Sequence, residues 1–171
     1  IQQTMLLVDH VAPEFDFVPA NYTAQCDDDL PVVMATATDN CSGASVSMVE
    51  EVTPGDCPAS WTVTRTYTAV DNCGNETSAV QSIEVVDTEA PLLSLPADYT
   101  LECGETLVEE DATATDNCGE VEISVSSEVI LGDCVGHYQV LRTFTAVDAC
   151  GNASSGTQTI SVVDTTPPVF T

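Results

Sequence analysis

The stretch RTYTAVDNCGN at residues 65–75 returns as RTFTAVDACGN at residues 142–152, and this repeat decides the fold. Around its first copy, apolar side chains such as Val63, Tyr67 and Ala69 alternate with threonines. Alternation with a period of two predicts a strand with one buried face. Each copy ends in Asp, Gly and Asn, which favour tight turns and tolerate positive φ. We therefore expect a hairpin to the next strand.

The repeat extends outward over nearly the whole chain. ATATDNC at 35–41 returns at 112–118, and the joints VDHVAP, VDTEAP and VDTTPP begin at Val8, Val86 and Val163. A fixed period of this length indicates tandem modules. We therefore predict a last strand of a preceding repeat at 1–8, a first repeat at 9–86, a second at 87–163 and the start of a following repeat at 164–171.

Other segments of each copy predict the remaining strands. In the first copy YTAQC ends one strand, VVMATATD forms another and ASVSMVEEV a third, and Ala79–Val86 follows the hairpin. Short Thr- and Val-rich strands without any helix-period segment favour an all-β sandwich. Modules under 80 residues are marginally stable, so covalent links are expected.

The 8 cysteines supply those links. They form two sets of four, each cysteine 77 residues from its counterpart, and an even number at repeated spacing indicates disulfides. Disulfides persist in oxidising surroundings, so the chain is predicted to be extracellular, at the cell surface or secreted. Zinc sites favour thiolates two to four residues apart, whereas the spacings here are 15, 16 and 16.

Strand directions predict which cysteines pair. In a sandwich of this kind the first and third strands run down the module, and the second and penultimate strands run up. The cysteines that follow these strands then divide between a lower and an upper end of each module. Without any lysine, Lys–Asn isopeptide bonds are excluded as an alternative cross-link. The predicted disulfides are Cys26–Cys57 and Cys103–Cys134 at the lower ends, and Cys41–Cys73 and Cys118–Cys150 at the upper ends.

The net charge is −26, from 28 acidic residues against 2 arginines. Nucleic acid and anionic membranes would repel such a chain. No apolar run is long enough to insert in a membrane. The acidic residues have two open interpretations: a solvated surface that keeps a long polymer soluble, or carboxylates that converge on divalent cations.

Taken together, LPADYTLEC, ATATDNC, RTFTAVDACGN and the VDTTPP joint resemble the hyalin-repeat-like, immunoglobulin-like modules found in tandem in very large surface and secreted proteins of Bacteroidota. The resemblance covers essentially the whole chain. It implies tandem immunoglobulin-like β-sandwiches in an adhesin or extracellular scaffold that is exported by a terminal sorting signal. It also implies O-glycosylation at Thr165. His10 and Val11 depart from the usual Thr pair of the first joint.

The sequence bears on three classes of function: an enzyme, a structural and adhesive spacer, and a recognition module. An enzyme needs a nucleophile with a base, paired acids or an open metal site, and neither His10 nor His137 recurs in the other copy, so we predict no catalysis. A structural and adhesive spacer uses the repetition itself, with neighbouring repeats or filament subunits as partners. In a filament, residues 1–8 would complete a sheet of another subunit. A recognition module that binds surface glycans or proteins is the alternative.

Calcium is the predicted cofactor, bound at the joints. The chain enters each module at the upper end, where the turn after ATATD and the hairpin also lie, so three carboxylates should converge there. Asp and Asn in such turns also cap backbone amides without any metal. The predicted ligands are Asp9, Asp39 and Asp71 in the first repeat and Asp87, Asp116 and Asp148 in the second, completed by Asn40, Asn75, Asn117, Asn152 and backbone carbonyls.

Two further features of the sequence carry predictions. Arg65 and Arg142 lie on the buried face of the hairpin strands, where a structural role, stacking on aromatic rings and pairing with a carboxylate, is favoured over ligand binding. N-glycosylation acceptor patterns occur at Asn21, Asn40, Asn75 and Asn152. Such patterns arise often by chance in Thr-rich β proteins.

Overall fold

The fold is seen in a computed structural model that describes residues 8–41 and 43–169. Within those residues there are twelve strands and no helix. The chain divides into two compact units, unit 1 at Ile1–Asp87 and unit 2 at Thr88–Thr171, and each is described by itself. The strand predicted at residues 1–8 lies, apart from Val8, outside the described residues.

Unit 1 contains six strands arranged in two sheets. The strands are β1 (Glu14–Phe17), β2 (Tyr22–Gln25), β3 (Thr36–Thr38), β4 (Ser45–Pro54), β5 (Trp61–Val70) and β6 (Glu76–Val86). One sheet has the order β2-β6-β5-β4, and the other pairs β1 with β3. Strand β2 is parallel to β6, whereas β5 is antiparallel to both β4 and β6. Strands β2, β4 and β6 therefore share one direction and β5 runs in the other.

Unit 2 repeats this topology. Its strands are β7 (Leu92–Ser94), β8 (Tyr99–Glu102), β9 (Thr113–Thr115), β10 (Val121–Leu131), β11 (Tyr138–Asp148) and β12 (Ala153–Val163). The sheets are β10-β11-β12-β8 and β7-β9, and β8 is parallel to β12. Two sheets in each unit, without a helix in the described residues, confirm the predicted all-β sandwich class.

The period-two pattern of the hairpin strands forms the core. In β5 the inward residues Val63, Tyr67 and Ala69 are buried, while the intervening threonines are half-buried on the opposite face. Ile83 and Val85 of β6 lie on the same inner face, since they pair with Val63 and Trp61 across the sheet. The alternation that predicted one buried face is thus confirmed.

Arg65 is part of this core, with 2% of its surface exposed. Its Nε donates to Oε2 of Glu50 at 2.8 Å, while Nη1 donates to the carbonyl of Pro31 at 2.7 Å and Nη2 to that of Leu30 at 3.2 Å. These bonds attach the irregular segment before β3 to the four-stranded sheet. The predicted structural role, in which the arginine pairs with a carboxylate, is confirmed.

Arg142 occupies the corresponding place in unit 2 with two hydrogen bonds, against three for Arg65. Its guanidinium carbon lies 5.0 Å from the ring centroid of Phe144, which confirms the predicted stacking. Its Nη1 donates to the carbonyl of Glu110 at 2.7 Å and to Oε1 of Gln158 at 3.1 Å. Glu109 is only a distant ionic partner, at 4.0 Å from Nη2.

The short strands differ from the sequence expectation. Strands β1 and β7 were not predicted from the sequence, and the strands predicted to end in TATD contain only Thr36–Thr38 and Thr113–Thr115. Strands of three or four residues are too short to show a period of two. The residues before β3 bind Arg65 through backbone carbonyls and do not join a ladder.

Candidate metal centre

Three aspartates of unit 1 each form a local turn. One carboxylate oxygen of Asp9, Oδ1, accepts the N–H of Val11 at 3.0 Å. Asp39, after β3, and Asp71, after β5, do the same with the N–H groups of Cys41 at 3.0 Å and Cys73 at 2.8 Å. Asp is favoured here because its side chain bonds an amide two residues on. The capping role that the sequence allowed is therefore present.

The same three carboxylates also converge. One oxygen of each of Asp9, Asp39 and Asp71 lies within 4.8 Å of the others. Oδ2 of Asp9 has no contact with solvent and no hydrogen-bond partner, and Asp71 is 7% exposed. Negative charges at this separation repel, and a buried carboxylate oxygen without a partner is costly. The cluster of these three carboxylates has the form of a site for a hard cation.

Asn75 holds Asp71 and the backbone of Asp9 in place through hydrogen bonds. Its side-chain Nδ2 donates to Oδ2 of Asp71 at 2.8 Å and to the backbone carbonyl of Asp9 at 3.3 Å, and its backbone N–H donates to Oδ1 of Asp71 at 2.8 Å. Asn75 was predicted to complete the coordination. Its amide nitrogen positions Asp71 and the entering chain, and coordination through its side-chain oxygen remains a prediction.

These hydrogen bonds keep Asp71 ionised. Burial acts to raise the pKa of Asp71, but the side-chain and backbone donors of Asn75, with the N–H groups of Cys73 and Gly74, hold it below the ordinary value of an aspartate. Hydrogen bonds to the charged form favour that form. Asp71 therefore stays a carboxylate well into acid solution.

Cys41 lies beside the cluster. The neighbouring Asp9 carboxylate, together with burial and Asp39, raises the pKa of the Cys41 thiol. The nearby Cys73 acts in the same direction. This proximity follows from the predicted placement of Cys41 and Cys73 at the upper end of the module, where the aspartates converge, and DNC at 39–41 and at 71–73 places a cysteine two residues after each of two cluster aspartates.

A depression opens beside the cluster at the surface of unit 1. Its volume is about 320 Å³, and its lining is Val11, Ala12, Glu14, Thr38, Asp39 and Asn40. It gives a cation access to Asp39 from solvent.

Unit 2 repeats the local turns. Oδ1 of Asp116 accepts the N–H of Cys118 at 2.8 Å, and Oδ1 of Asp148 accepts that of Cys150 at 2.8 Å. Asn152 donates through Nδ2 to Oδ2 of Asp148 at 2.8 Å. Burial again opposes these bonds, which nevertheless hold the pKa of Asp148 below its ordinary value. Asp87, the first member of the second predicted set, is the buried last residue of unit 1.

The cysteines are in two states. Cys26, Cys57, Cys118 and Cys150 are disulfide-bonded, and Cys41, Cys73, Cys103 and Cys134 are exposed thiols. All eight were expected in bonds, so the four thiols differ from the expectation. A disulfide needs Cβ atoms about 4 Å apart with a specific dihedral angle, and two thiols near each other need not meet that condition. The four predicted pairings remain predictions.

The predicted N-glycosylation sites differ in the freedom of their acceptor nitrogen. In Asn75 and Asn152 this nitrogen donates to the aspartate four residues earlier, so a glycan there would compete with this hydrogen bond. Asn21 accepts the N–H of Ser82 through its oxygen at 2.8 Å. Asn40 lies in an exposed turn.

Thr165, predicted to be O-glycosylated, is bound at the lower end of unit 2. Its hydroxyl donates to Oε1 of Glu102, and its N–H donates to Oε2 at 3.0 Å. These bonds, from the Thr165 side chain and then its backbone, with His137 nearby, lower the pKa of Glu102. A glycan on Thr165 would have to displace the hydroxyl from this contact.

Comparison with known proteins places the chain near hyalin. No protein-family model matches. Hyalin from Lytechinus variegatus is 40% identical over 144 residues, which are 78% of this chain and 27% of that protein. Hyalin from Strongylocentrotus purpuratus is 39% identical over 146 residues, 80% of this chain and 12% of that protein. The chain thus spans about a quarter or less of these relatives, and over most of its own length it is similar to hyalin.

These relatives are animal proteins, so they do not support the bacterial origin that the resemblance implied. A rat protein named for sushi, von Willebrand factor type A, EGF and pentraxin domains is 33% identical over 91 residues, 51% of this chain and 2% of that protein.

Solved structures give weaker likenesses. Drosophila N-cadherin EC1-4 has a TM-score of 0.37 at 14% identity, covering 88% of this chain and 49% of that one. Human mucin-like protocadherin EC1-2 has a TM-score of 0.36 at 8% identity, and the match covers 89% of this chain and 98% of that one. Scores this low carry no functional argument.

The chain is extracellular, as its disulfides and the hyalin relatives both indicate. Within residues 8–41 and 43–169, no helix is long and apolar enough to cross a membrane.

Proposed function

We propose that this chain is a structural and adhesive spacer of a longer extracellular protein, and that calcium binds the carboxylate cluster of unit 1. The repeated sequence and the hyalin relatives support the adhesive repeat. The observation that carries the calcium site is the convergence of Asp9, Asp39 and Asp71 with an oxygen of Asp9 left unbonded.

Calcium fits this cluster better than other cations. Carboxylate oxygens are hard ligands, and calcium accepts six to eight oxygens in flexible geometry, so backbone carbonyls and water can complete the shell. Two positive charges would offset repulsion among three carboxylates in a chain of net charge −26. Asp71 stays ionised through its bonds to Asn75, so the site is charged at neutral pH.

The strands set the length of a module. Strands of 10 or 11 residues, such as β4, β5 and β6, span about 35 Å at roughly 3.3 Å per residue. A string of modules therefore gains reach in steps of this size. Because Asp9 lies in a joint and Asp39 and Asp71 lie within the module, a bound ion would fix the angle at which the chain enters.

The proposed partners are neighbouring repeats of the same polypeptide or subunits of a filament. Near-identical turns in the two copies also suit weak, multivalent attachment to surface glycans or proteins. Screening the chain against a sugar array, as a monomer and on a multivalent bead, would detect such attachment.

Calorimetric titration of calcium tests the site. Asp9→Asn and Asp71→Asn each remove one cluster carboxylate, and Asp56→Asn is the matched control, because Asp56 is an exposed aspartate in the turn between β4 and β5. We expect the cluster variants to lose one binding event that the control retains. Equal titrations for all three variants would contradict the site.

A further inference from the structure

Two thiols flank the cluster in unit 1. Cys41 and Cys73 are exposed, and each follows a cluster aspartate by two residues. The N–H of Cys41 donates to Asp39 at 3.0 Å and the N–H of Cys73 to Asp71 at 2.8 Å. Each cysteine therefore shares one tight turn with a proposed calcium ligand.

The two turns come from opposite sheets of the sandwich. Asp39 follows β3, which belongs to the two-stranded sheet, and Asp71 follows β5, which belongs to the four-stranded sheet. Carboxylate oxygens of the two turns nevertheless lie within 4.8 Å of each other. The turns that carry the two cysteines are therefore adjacent, at a place where like charges repel each other.

We propose that Cys41 and Cys73 form a disulfide that clamps the turns of Asp39 and Asp71 and thereby raises the affinity of the cluster for calcium. The inference rests on the proposed calcium site. The cluster does not stand on acidic residues alone, because Oδ2 of Asp9 is buried without a hydrogen-bond partner.

The bond forms by thiol–disulfide exchange with glutathione disulfide. One cysteine loses its proton and attacks a sulfur of the oxidant, which gives a mixed disulfide and one glutathione thiolate. The second cysteine, as thiolate, attacks the mixed disulfide at the protein sulfur and releases the second glutathione thiolate, and each released thiolate takes up one proton. Two protein thiols and one glutathione disulfide therefore become one protein disulfide and two glutathione thiols.

The disulfide and calcium binding are coupled because the disulfide holds the two turns in place before calcium binds. Without the bond, calcium binding must restrict the motion of two turns whose carboxylates repel each other, which costs conformational entropy, whereas the bond has already restricted them. Thermodynamic linkage makes the effect reciprocal, so calcium must favour the bond by the same factor.

The test compares three forms of the full chain after equilibration with glutathione disulfide, all carrying Asp116→Asn to remove a predicted ligand of the second set. These are the otherwise unchanged chain, Cys41→Ser with Cys73→Ser, and Cys103→Ser with Cys134→Ser. The last is the matched control, since it removes two exposed thiols of unit 2. Non-reducing peptide mapping reports the bond, and calorimetry reports the Kd for calcium.

We expect a Cys41–Cys73 peptide in the first and third forms, and calcium binding about 5-fold or more tighter in them than in the Cys41 and Cys73 variant. Saturating calcium should lower by the same factor the oxidised-to-reduced glutathione ratio needed to form half of the bonds. Absence of the bond, or equal affinities with the bond present, would overturn the clamp alone. Failure of all three forms to bind calcium would overturn the calcium site and the clamp together.

Discussion

Replacing Arg65 by methionine tests what holds the two sheets of unit 1 together. Methionine keeps much of the apolar volume but removes the donors to the carbonyls of Leu30 and Pro31. Each carbonyl left without its donor costs roughly 1–3 kcal/mol, with the lower end favoured because Leu30 is only half-buried and Pro31 is exposed. The lost ion pair adds little, since the partner carboxylate of Glu50 is 40% exposed and can be hydrated. We expect a loss of about 2–4 kcal/mol in the free energy of unfolding of unit 1.

The assay uses a probe confined to unit 1. The chain has 1 tryptophan, Trp61, which packs against the core of that unit. Its fluorescence in guanidinium chloride follows unit 1, and Arg65→Met should lower the midpoint by about 1 M or more. Glu50→Gln, which keeps both carbonyl bonds, should cost under about 1 kcal/mol. Arg142→Met, in unit 2, should leave the tryptophan transition unchanged.

Equal destabilisation of unit 1 by Arg65→Met and by Glu50→Gln would contradict this role of the arginine. The carbonyl bonds would then contribute nothing, and the ion pair alone would account for the effect of Arg65.

Two further predictions concern the turns. The pKa of Asp71 is lowered in the folded state, so the stabilisation from its carboxylate is fully present above the ordinary pKa of about 3.9 and is lost as the pH falls through the lowered value. The unfolding midpoint followed by tryptophan fluorescence should therefore fall more steeply between about pH 5 and pH 2 for the unchanged chain than for Asp71→Asn. Gly74 has a φ of 87°, so Gly74→Ala should lower the free energy of unfolding of unit 1 by about 1–2 kcal/mol in the same assay. Gly43→Ala is the control and should be close to neutral, because an added Cβ there meets nothing within 4 Å. Equal losses of stability for the two variants would count against a need for positive φ at Gly74.

The long strands were predictable because their signal is long. Ten alternating residues at 61–70 and a turn rich in Asp, Gly and Asn leave one plausible structure, and the buried Tyr67 and the turn at Gly74 agree with it. β1 (Glu14–Phe17) and β7 (Leu92–Ser94) have three or four residues, and pairing with a partner strand decides them.

The aspartates of the site were predictable from the sequence, whereas the side-chain contacts around them were not. Strand direction and the repeated DNC motif bring Asp39 and Asp71 to one end of the module, which local rules can anticipate. The hydrogen bond from the Asn75 side chain to Asp71 depends on side-chain geometry, and so does the contact of Cys41 with Asp9. Sequence spacing does not encode either distance.

The most direct test of the central claim is the tryptophan unfolding midpoint in excess calcium and in excess chelator at equal ionic strength. Calcium at about 100 times its Kd should stabilise unit 1 by about 2.7 kcal/mol, and the gain should vanish in Asp9→Asn but persist in Asp56→Asn. Identical midpoints in calcium and chelator for the unchanged chain would contradict the account and leave the three aspartates as caps of their own turns.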